Sequence, residues 1–260
     1  MGRIYTLANQ KGGVGKTTTA INLGAYLAHF GQRVLIVDLD PQANATSCLG
    51  VNKHTVNGST YEALFNGAPA SSFILFNERL KLALLPSSPA LAGAEVELVE
   101  ESNREFRLRN ALESIKGKYD YTLIDCPPSL GLLTVNGLIA ARDGVLVPVQ
   151  CEYLALEGLG QLTRTIERVR SALFPDLRVR GVILTMFDPR TNLSADVVRE
   201  VNSHFPGQVF KSVLPRSVRL AEAPSYGLPI SAYAPSSTGA HAYEALAKEM
   251  LAGDGVAVPA

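Results

Sequence analysis

The sequence predicts an α/β fold, a doubly wound and mostly parallel sheet flanked by helices. Three observations point to it. Short β-branched apolar runs alternate with longer stretches whose apolar residues recur at helical spacing. The apolar runs lack strict period-two alternation, as strands covered on both faces do. Finally, one run leads straight into a glycine-rich turn and two others end in aspartate, at the strand ends where open parallel sheets place their ligand sites.

Taken in order, the expected strands are Ile4–Ala8, Arg33–Val37, Lys81–Leu85, Tyr121–Asp125, Val145–Val149 and Gly181–Thr185, with weaker ones near Val213–Leu214 and Ile230–Ser231. The first helix, Lys16–His29, carries Ala20, Leu23, Gly24 and Leu27 on one face, and Gly31 stands where a C-terminal glycine ends a helix. Further helices are expected over Arg107–Ile115, Leu132–Ala141, Leu156–Leu173, Ser194–His204 and Ala240–Leu251. Alternating strands and helices imply right-handed crossovers. No repeat, low-complexity tract or linker interrupts the pattern, and Pro86–Ala92 is too short to divide it. The expectation is one domain over residues 1–252 and a flexible tail over 253–260.

Composition excludes several classes. With 47% hydrophobic and 18% charged residues, the chain is no disordered segment. Its 24 basic and 24 acidic residues cancel, so no global field advertises a nucleic-acid or membrane partner. Locally the balance shifts: Gln161–Leu220 holds ten Lys/Arg against five Asp/Glu. Cys48, Cys126 and Cys151 are widely spaced and form no CxxC pair, as in reduced cytosolic proteins. The start has no signal-peptide pattern and no run of 18 apolar residues occurs, so the expected location is cytoplasmic.

The strand Ile4–Ala8 is followed by Asn9-Gln10-Lys11-Gly12-Gly13-Val14-Gly15-Lys16-Thr17-Thr18 and then by a helix. Glycines let the backbone curl so that successive N–H groups point inward, and the helix aims its positive end at the same spot. In such a phosphate loop Lys16 reaches the β- and γ-phosphates of ATP and the Thr17 hydroxyl ligates Mg²⁺. The fold expectation therefore sharpens to a P-loop NTPase that binds and hydrolyses ATP. Three carboxylates suit its chemistry. Asp38 ends a strand in Val34-Leu35-Ile36-Val37-Asp38-Leu39-Asp40, Asp40 lies in the following loop, and Asp125 ends the apolar run Tyr121–Ile124. Asp125 meets the needs of a Walker B carboxylate that holds Mg²⁺ directly or through water. Phosphoryl transfer asks the protein mainly for positioning and charge neutralisation.

The loop departs from G-x-x-x-x-G-K-[ST] in having Gln10 where glycine is usual and a second lysine, Lys11, at its start. The run K-G-G-x-G-K-T-T resembles the deviant Walker A box of the ParA, MinD, nitrogenase iron-protein and arsenite-pump ATPases. That resemblance implies an ATP-dependent sandwich homodimer in which Lys11 reaches the phosphates held by the other subunit. It also implies that Asp40 orients the attacking water, with Asp38 supporting it and the metal site, so that Lys11, Lys16 and Asp40 are the catalytic candidates. Cys126 and Cys151 do not match the iron protein's cysteine loops.

Within this family the chain looks like the ParA/Soj partition ATPases over nearly its full length. The matching segments include A-N-Q-K-G-G-V-G-K-T-T-T-A-I-N-L, V-D-L-D-P-Q-A-N-A-T, L-I-D-C-P-P-S-L-G, Glu152 to Gly158, T-M-F-D-P-R-T-N-L and L-P-R-S-V-R-L-A-E-A-P-S-Y-G-L-P-I. The end of the chain, Leu251–Ala260, has no Lys or Arg and is glycine-broken, unlike the lipid-binding amphipathic helix of MinD relatives. The first strand starts near residue 4, leaving no room for an N-terminal helix-turn-helix domain. The short form that remains implies non-specific double-stranded DNA binding by Arg190 and Arg219, nucleoid association, stimulation by a ParB-like centromere-binding protein and no stable membrane association. The adenine is expected against Met186, Pro215 and Ser217, the last a position where the group more often has Asn. Two other readings are a MinD-like membrane-positioning ATPase and a nucleotide-gated DNA scaffold with negligible hydrolysis.

Overall fold

The computed structural model describes residues 2–65, 68–152 and 155–258. Among these described residues, seven strands form one sheet: β1 (Arg3–Leu7), β2 (Val34–Asp38), β3 (Leu75–Asn77), β4 (Leu82–Leu85), β5 (Tyr121–Asp125), β6 (Gly144–Gln150) and β7 (Val179–Thr185), in the order β3-β4-β2-β5-β1-β6-β7. All neighbours are parallel except β3, which pairs antiparallel with β4 at the edge. Strands β2 and β5 are buried along their whole length, which explains why Val-Leu-Ile-Val and Tyr-Thr-Leu-Ile show no alternation.

The helices are α1 (Lys16–His29), α2 (Asn44–Cys48), α3 (Thr60–Phe65), α4 (Ala94–Glu97), α5 (Arg107–Leu112), α6 (Leu132–Ala140), α7 (Ala155–Ala172), α8 (Asn192–His204), α9 (Val218–Glu222), α10 (Ile230–Tyr233) and α11 (Thr238–Gly253). On one face of the sheet α1 and α11 bury Leu23, Leu27, Tyr243, Leu246 and Met250 against Tyr5, Leu7, Ile36 and Leu123. A buried leucine in such a core contributes about 1.5–3 kcal/mol. Gly24 brings α1 close to the sheet, since a Cβ there would lie 2.6 Å from Ile36 Cδ1. Separate apolar clusters gather Leu133 with Leu35 and Val37, and Leu159 and Leu162 with Val147 and Leu184.

Three expectations are corrected. Ile230–Ser231 is the start of the short helix α10, because Pro229 precedes it and the Ile230 amide donates to Asn22 Oδ1 at 2.6 Å. Val213–Leu214 makes single contacts with β7: the Leu214 amide donates to the Leu184 carbonyl, and Pro215 bridges Phe187 without forming a strand. The tail is anchored at its start. α11 runs to Gly253, and the Asp254 carboxylate, 4% exposed, accepts from the Tyr5 and Tyr121 hydroxyls and from Arg180, and pairs with Arg3. The edge strand β3 carries no sequence signal, its three residues being all exposed. Of the matching stretch Glu152–Gly158, residues 153–154 lie outside the described residues, as do residues 259–260 of the expected tail.

Candidate nucleotide and metal site

Parallel pairing brings the loops after β1, β2 and β5 to one edge. Leu7 and Asp38 both stand in register with Asp125, so the phosphate loop and the aspartate loops leave the sheet side by side. Gly13 and Gly15 have φ of +74° and +87°, conformations that disfavour a side chain. Gly15 caps α1 without a side-chain hydrogen bond, and the first turn of α1 holds no acid. The amides of that turn are thus left for an anion.

A cleft of about 300 Å³ follows, lined by Gly12, Gly13, Gly15, Lys16, Thr17, Thr18, Asp40, Gln42, Asn44 and Pro128. Val14 is buried beneath the loop, and its carbonyl accepts from the Thr185 hydroxyl at 2.9 Å, which ties the loop to the end of β7. Lys16 is only 6% exposed, and its Nζ lies 3.4 Å from the Lys11 carbonyl. Burial lowers its pKa, opposed by Asp125, Cys126 and Asp40 nearby. Lys11 is half-buried and makes no ion pair among the described residues.

Asp125 is fully buried and its pKa is raised, chiefly by burial and then by Asp38. The Thr17 hydroxyl lies close enough to lower it, yet among the described residues neither carboxylate oxygen has a hydrogen-bond partner. A buried, unpartnered carboxylate is costly unless a ligand completes it. A hard cation with oxygen ligands fits that need, so Asp125 and Thr17 suit Mg²⁺.

Asp38, expected in support of Asp40 and the metal site, turns both carboxylate oxygens to the loop. Its Oδ2 accepts from the Thr46 amide (2.7 Å) and hydroxyl (2.6 Å), and its Oδ1 from the Asp40 amide at 3.2 Å. Both oxygens are therefore engaged in holding the loop. Burial pushes its pKa up to about 6 even so. Asp40 lines the cleft, with Oδ1 accepting from the Gln42 amide at 2.9 Å.

A second cavity of about 240 Å³ shares Gly15 and Thr18 with the first and is walled by Met186, Leu214, Pro215, Arg216, Ser217, Leu220 and Tyr243. It brings the expected adenine residues Met186, Pro215 and Ser217 together. Met186 holds φ of +53°, strain of the kind that persists at functional sites. The two joined compartments, one polar and helix-capped, the other mostly apolar, have the division of a nucleoside triphosphate.

A family model described as an AAA domain matches residues 2–179. The chain is 54% identical over 254 residues to the chromosome partitioning protein ParA of Myxococcus xanthus, covering 98% of this chain and 89% of that protein. It is also 54% identical over 252 residues to the sporulation initiation inhibitor protein Soj of Bacillus subtilis, covering 97% and 99%. The chain belongs to the ParA/Soj family of P-loop ATPases.

Solved structures agree with that placement. The cobyrinic acid a,c-diamide synthase of Mycobacterium smegmatis with ADP and magnesium is 39% identical, with a TM-score of 0.86 covering 100% of this chain and 98% of that one. The septum site-determining protein MinD of Pyrococcus horikoshii with Mg-ADP is 27% identical, with a TM-score of 0.76 covering 99% and 100%. As a ParA/Soj ATPase the chain is an ATP hydrolase of the chromosome-partitioning group, with ATP and Mg²⁺ as its nucleotide and metal.

The two arginines expected at DNA line neither compartment of this ParA/Soj nucleotide site. Arg190 follows β7 with an 84% exposed side chain, engaged bidentately by Asp188 at 2.9 and 2.7 Å. That pairing holds the Asp188 carboxyl down to about 2. Arg219 lies on the short helix α9; its side chain is 61% exposed and pairs with Glu222 at 2.9 Å. The two segments are nevertheless neighbours: the Phe187 amide donates to the Leu214 carbonyl, and the Arg216 amide to that of Phe187.

Several site residues escaped the sequence reading. Tyr243 walls the second cavity and its hydroxyl meets Thr19 Oγ1 at 3.1 Å, across 224 positions, so no local signal marks it. Thr46 and Ser87 brace the aspartate loop. Ser87 follows a strand at the ligand-bearing edge, and that position alone is a usable signal.

Proposed function

We propose that the chain is an ATP-timed DNA partition switch. ATP closes two copies into a sandwich dimer in which each Lys11 reaches the phosphates held by the other copy. The dimer binds double-stranded DNA through Arg190 and Arg219 without reading its sequence, and a ParB-like partner stimulates hydrolysis to release it. The protein then works in the cytoplasm on the nucleoid.

The observation that supports this reading best is Lys11. It stands at the phosphate loop beside Lys16, half-buried and with no ion pair among the described residues, in a chain 54% identical to a chromosome partitioning protein. A cation supplied from across an interface neutralises charge developing on the transferred phosphoryl group. Lys16 and the amides of α1 hold the phosphates, Asp125 and Thr17 hold Mg²⁺, which neutralises phosphate charge, and Asp40 orients the attacking water. Asp38 keeps Asp40 in place. Phosphate-directed arginines give affinity without sequence preference, and two copies double their number, so dimerisation switches DNA binding on.

No membrane step belongs to this reading. Among the described residues no helix is long and apolar enough to cross a membrane, and Asp254 pins the end of α11 to the sheet. The test is size-exclusion chromatography of wild type and Lys11→Ala with and without ATP. Wild type should shift to a dimer with ATP, while Lys11→Ala should bind ATP and remain monomeric. A wild type that stays monomeric with ATP overturns the proposal.

A further inference from the structure

The reading of Asp40 as the residue that orients water leaves open what holds Asp40 still. It lies in a loop, and its neighbour Ala43 has a left-handed φ of +53°. Within the loop the Gln42 amide holds Asp40 Oδ1 at 2.9 Å, and the backbone that carries this carboxylate is anchored from outside it. The backbone of Asp40 is gripped on both sides. Its amide donates to Asp38 Oδ1, and its carbonyl accepts from the Ala43 amide and from the Ser87 hydroxyl, both at 2.8 Å.

Ser87 comes from a different part of the chain, just past β4, and is itself locked. Its amide donates to Thr46 Oγ1 at 2.9 Å, and the same hydroxyl donates to Asp38 Oδ2. Thr60 completes the frame, its hydroxyl donating to the carbonyls of Asp38 (2.6 Å) and Pro86 (3.0 Å). Asp38, Thr46, Thr60 and Ser87 are all fully buried, and Asp40 nearly so. Water does not compete for these bonds, so each has a definite geometry. The frame ties β2, α2, α3 and the end of β4 to one peptide.

We propose that Ser87 is a positioning residue for ATP hydrolysis: its hydroxyl fixes the Asp40 peptide so that the carboxylate faces the attacking water. Ser87 touches neither nucleotide nor metal site; it is absent from the lining of both cavities. Its effect is therefore on turnover and not on binding. Misplacing a catalytic group by about 1 Å costs on the order of a hundredfold in rate. Loss of one of two bonds to the Asp40 carbonyl should cost less, about tenfold.

This inference rests on the reading of Asp40, and the experiment separates the two. Single-turnover hydrolysis of bound ATP is measured for wild type, Asp40→Ala, Ser87→Ala, Thr46→Val and Thr46→Ser, alongside ATP affinity and ATP-driven dimerisation. Ser87→Ala keeps the Ser87 amide and so removes only the bond to Asp40. It should slow hydrolysis about tenfold with ATP affinity within about twofold of wild type. Thr46→Val should also slow hydrolysis, and Thr46→Ser, which restores the hydroxyl, should recover most of the rate. If Asp40→Ala is inactive while Ser87→Ala hydrolyses at the wild-type rate, the role of Ser87 is overturned and that of Asp40 stands. If Ser87→Ala loses ATP affinity and rate in parallel, the residue supports the fold of the pocket and the proposal is likewise overturned. If Asp40→Ala hydrolyses normally, the reading of Asp40 falls and takes this inference with it.

Discussion

At the phosphate loop, Lys16 is 6% exposed with one long contact to a carbonyl, and among the described residues both oxygens of buried Asp125 lack a partner. On the arginine-bearing surface the terms are reversed: Arg190, Arg216 and Arg219 lie in water, and each already has a carboxylate, from Asp188, Glu152 and Glu222. The first region keeps charges in a low-dielectric setting that only a ligand completes, so contacts made there are strong and their loss is severe. The second holds charges that solvent and salt already screen, so each contact is weak and only their number gives affinity. The switch proposed above needs both: one region that responds to a single small ligand, and another whose weak contacts become useful when doubled.

The largest expected effect comes from Lys16→Ala. It deletes the fixed buried cation facing the phosphates while leaving the loop backbone intact. We expect ATP affinity to fall about a hundredfold or more, in keeping with the loss of charge-assisted hydrogen bonds in a buried site. Isothermal titration with ATP and Mg²⁺ measures it. Affinity within a few-fold of wild type would mean that the pocket does not hold its charge in the way the comparison requires.

Asp125→Asn tests the same region from the side of stability. Burial raises the Asp125 pKa above its ordinary value, so the ionised carboxylate destabilises the ligand-free fold at pH above that raised pKa. The destabilisation is relieved as pH falls through it. Removing the charge relieves its burial and its repulsion from Asp38, against a smaller loss of attraction to buried Lys16, so the Mg²⁺-free protein should be stabilised at neutral pH by about 1–3 kcal/mol. For a chain of this size that raises the melting temperature by about 2–4 °C per kcal/mol. The gap between variant and wild type should narrow on acidification, while Mg²⁺-dependent hydrolysis is lost at every pH. Thermal melts across pH check the sign; an Asn variant that melts lower than wild type at neutral pH contradicts it.

How far the sequence revealed each region follows from the range of the interactions. The phosphate loop was legible because its function lies in consecutive residues, where Gly13 and Gly15 supply the positive φ and Lys16 opens α1. Asp38 and Asp125 were legible as strand ends, and their register pairing follows from a parallel sheet. The role of Asp38 was not, because its partner Thr46 lies eight residues on, across a turn that spacing does not describe. Tyr243, Ser87 and Asp254 act across 224, 47 and 249 positions, on Thr19, Asp40 and Tyr5 respectively, and no local pattern carries such distances. Strand β3 was missed because its residues are exposed and its pairing comes wholly from β4.

The smallest effect, and the sharpest test of the second region, is charge removal at Arg190 or Arg219. Asp188 is held down to about 2 by Arg190, so it stays ionised at any working pH and a DNA phosphate has to displace it. The net gain per contact is then small, and each single substitution should weaken DNA binding only about two- to tenfold. The loss should be equal on two unrelated DNA sequences, because phosphate contacts carry no base information. The dependence of affinity on salt should flatten by about one unit for each phosphate contact removed. ATP-driven dimerisation should be unchanged, since neither arginine lines the nucleotide cavities. Binding of wild type, Arg190→Ala and Arg219→Ala to both DNAs, in the presence of ATP and over a series of salt concentrations, gives all three readings. Loss on one sequence alone would make the surface a reader of bases. No loss at either position would return both arginines to the role of anchors for Asp188 and Glu222, and the DNA face would have to be sought elsewhere in the basic stretch Gln161–Leu220.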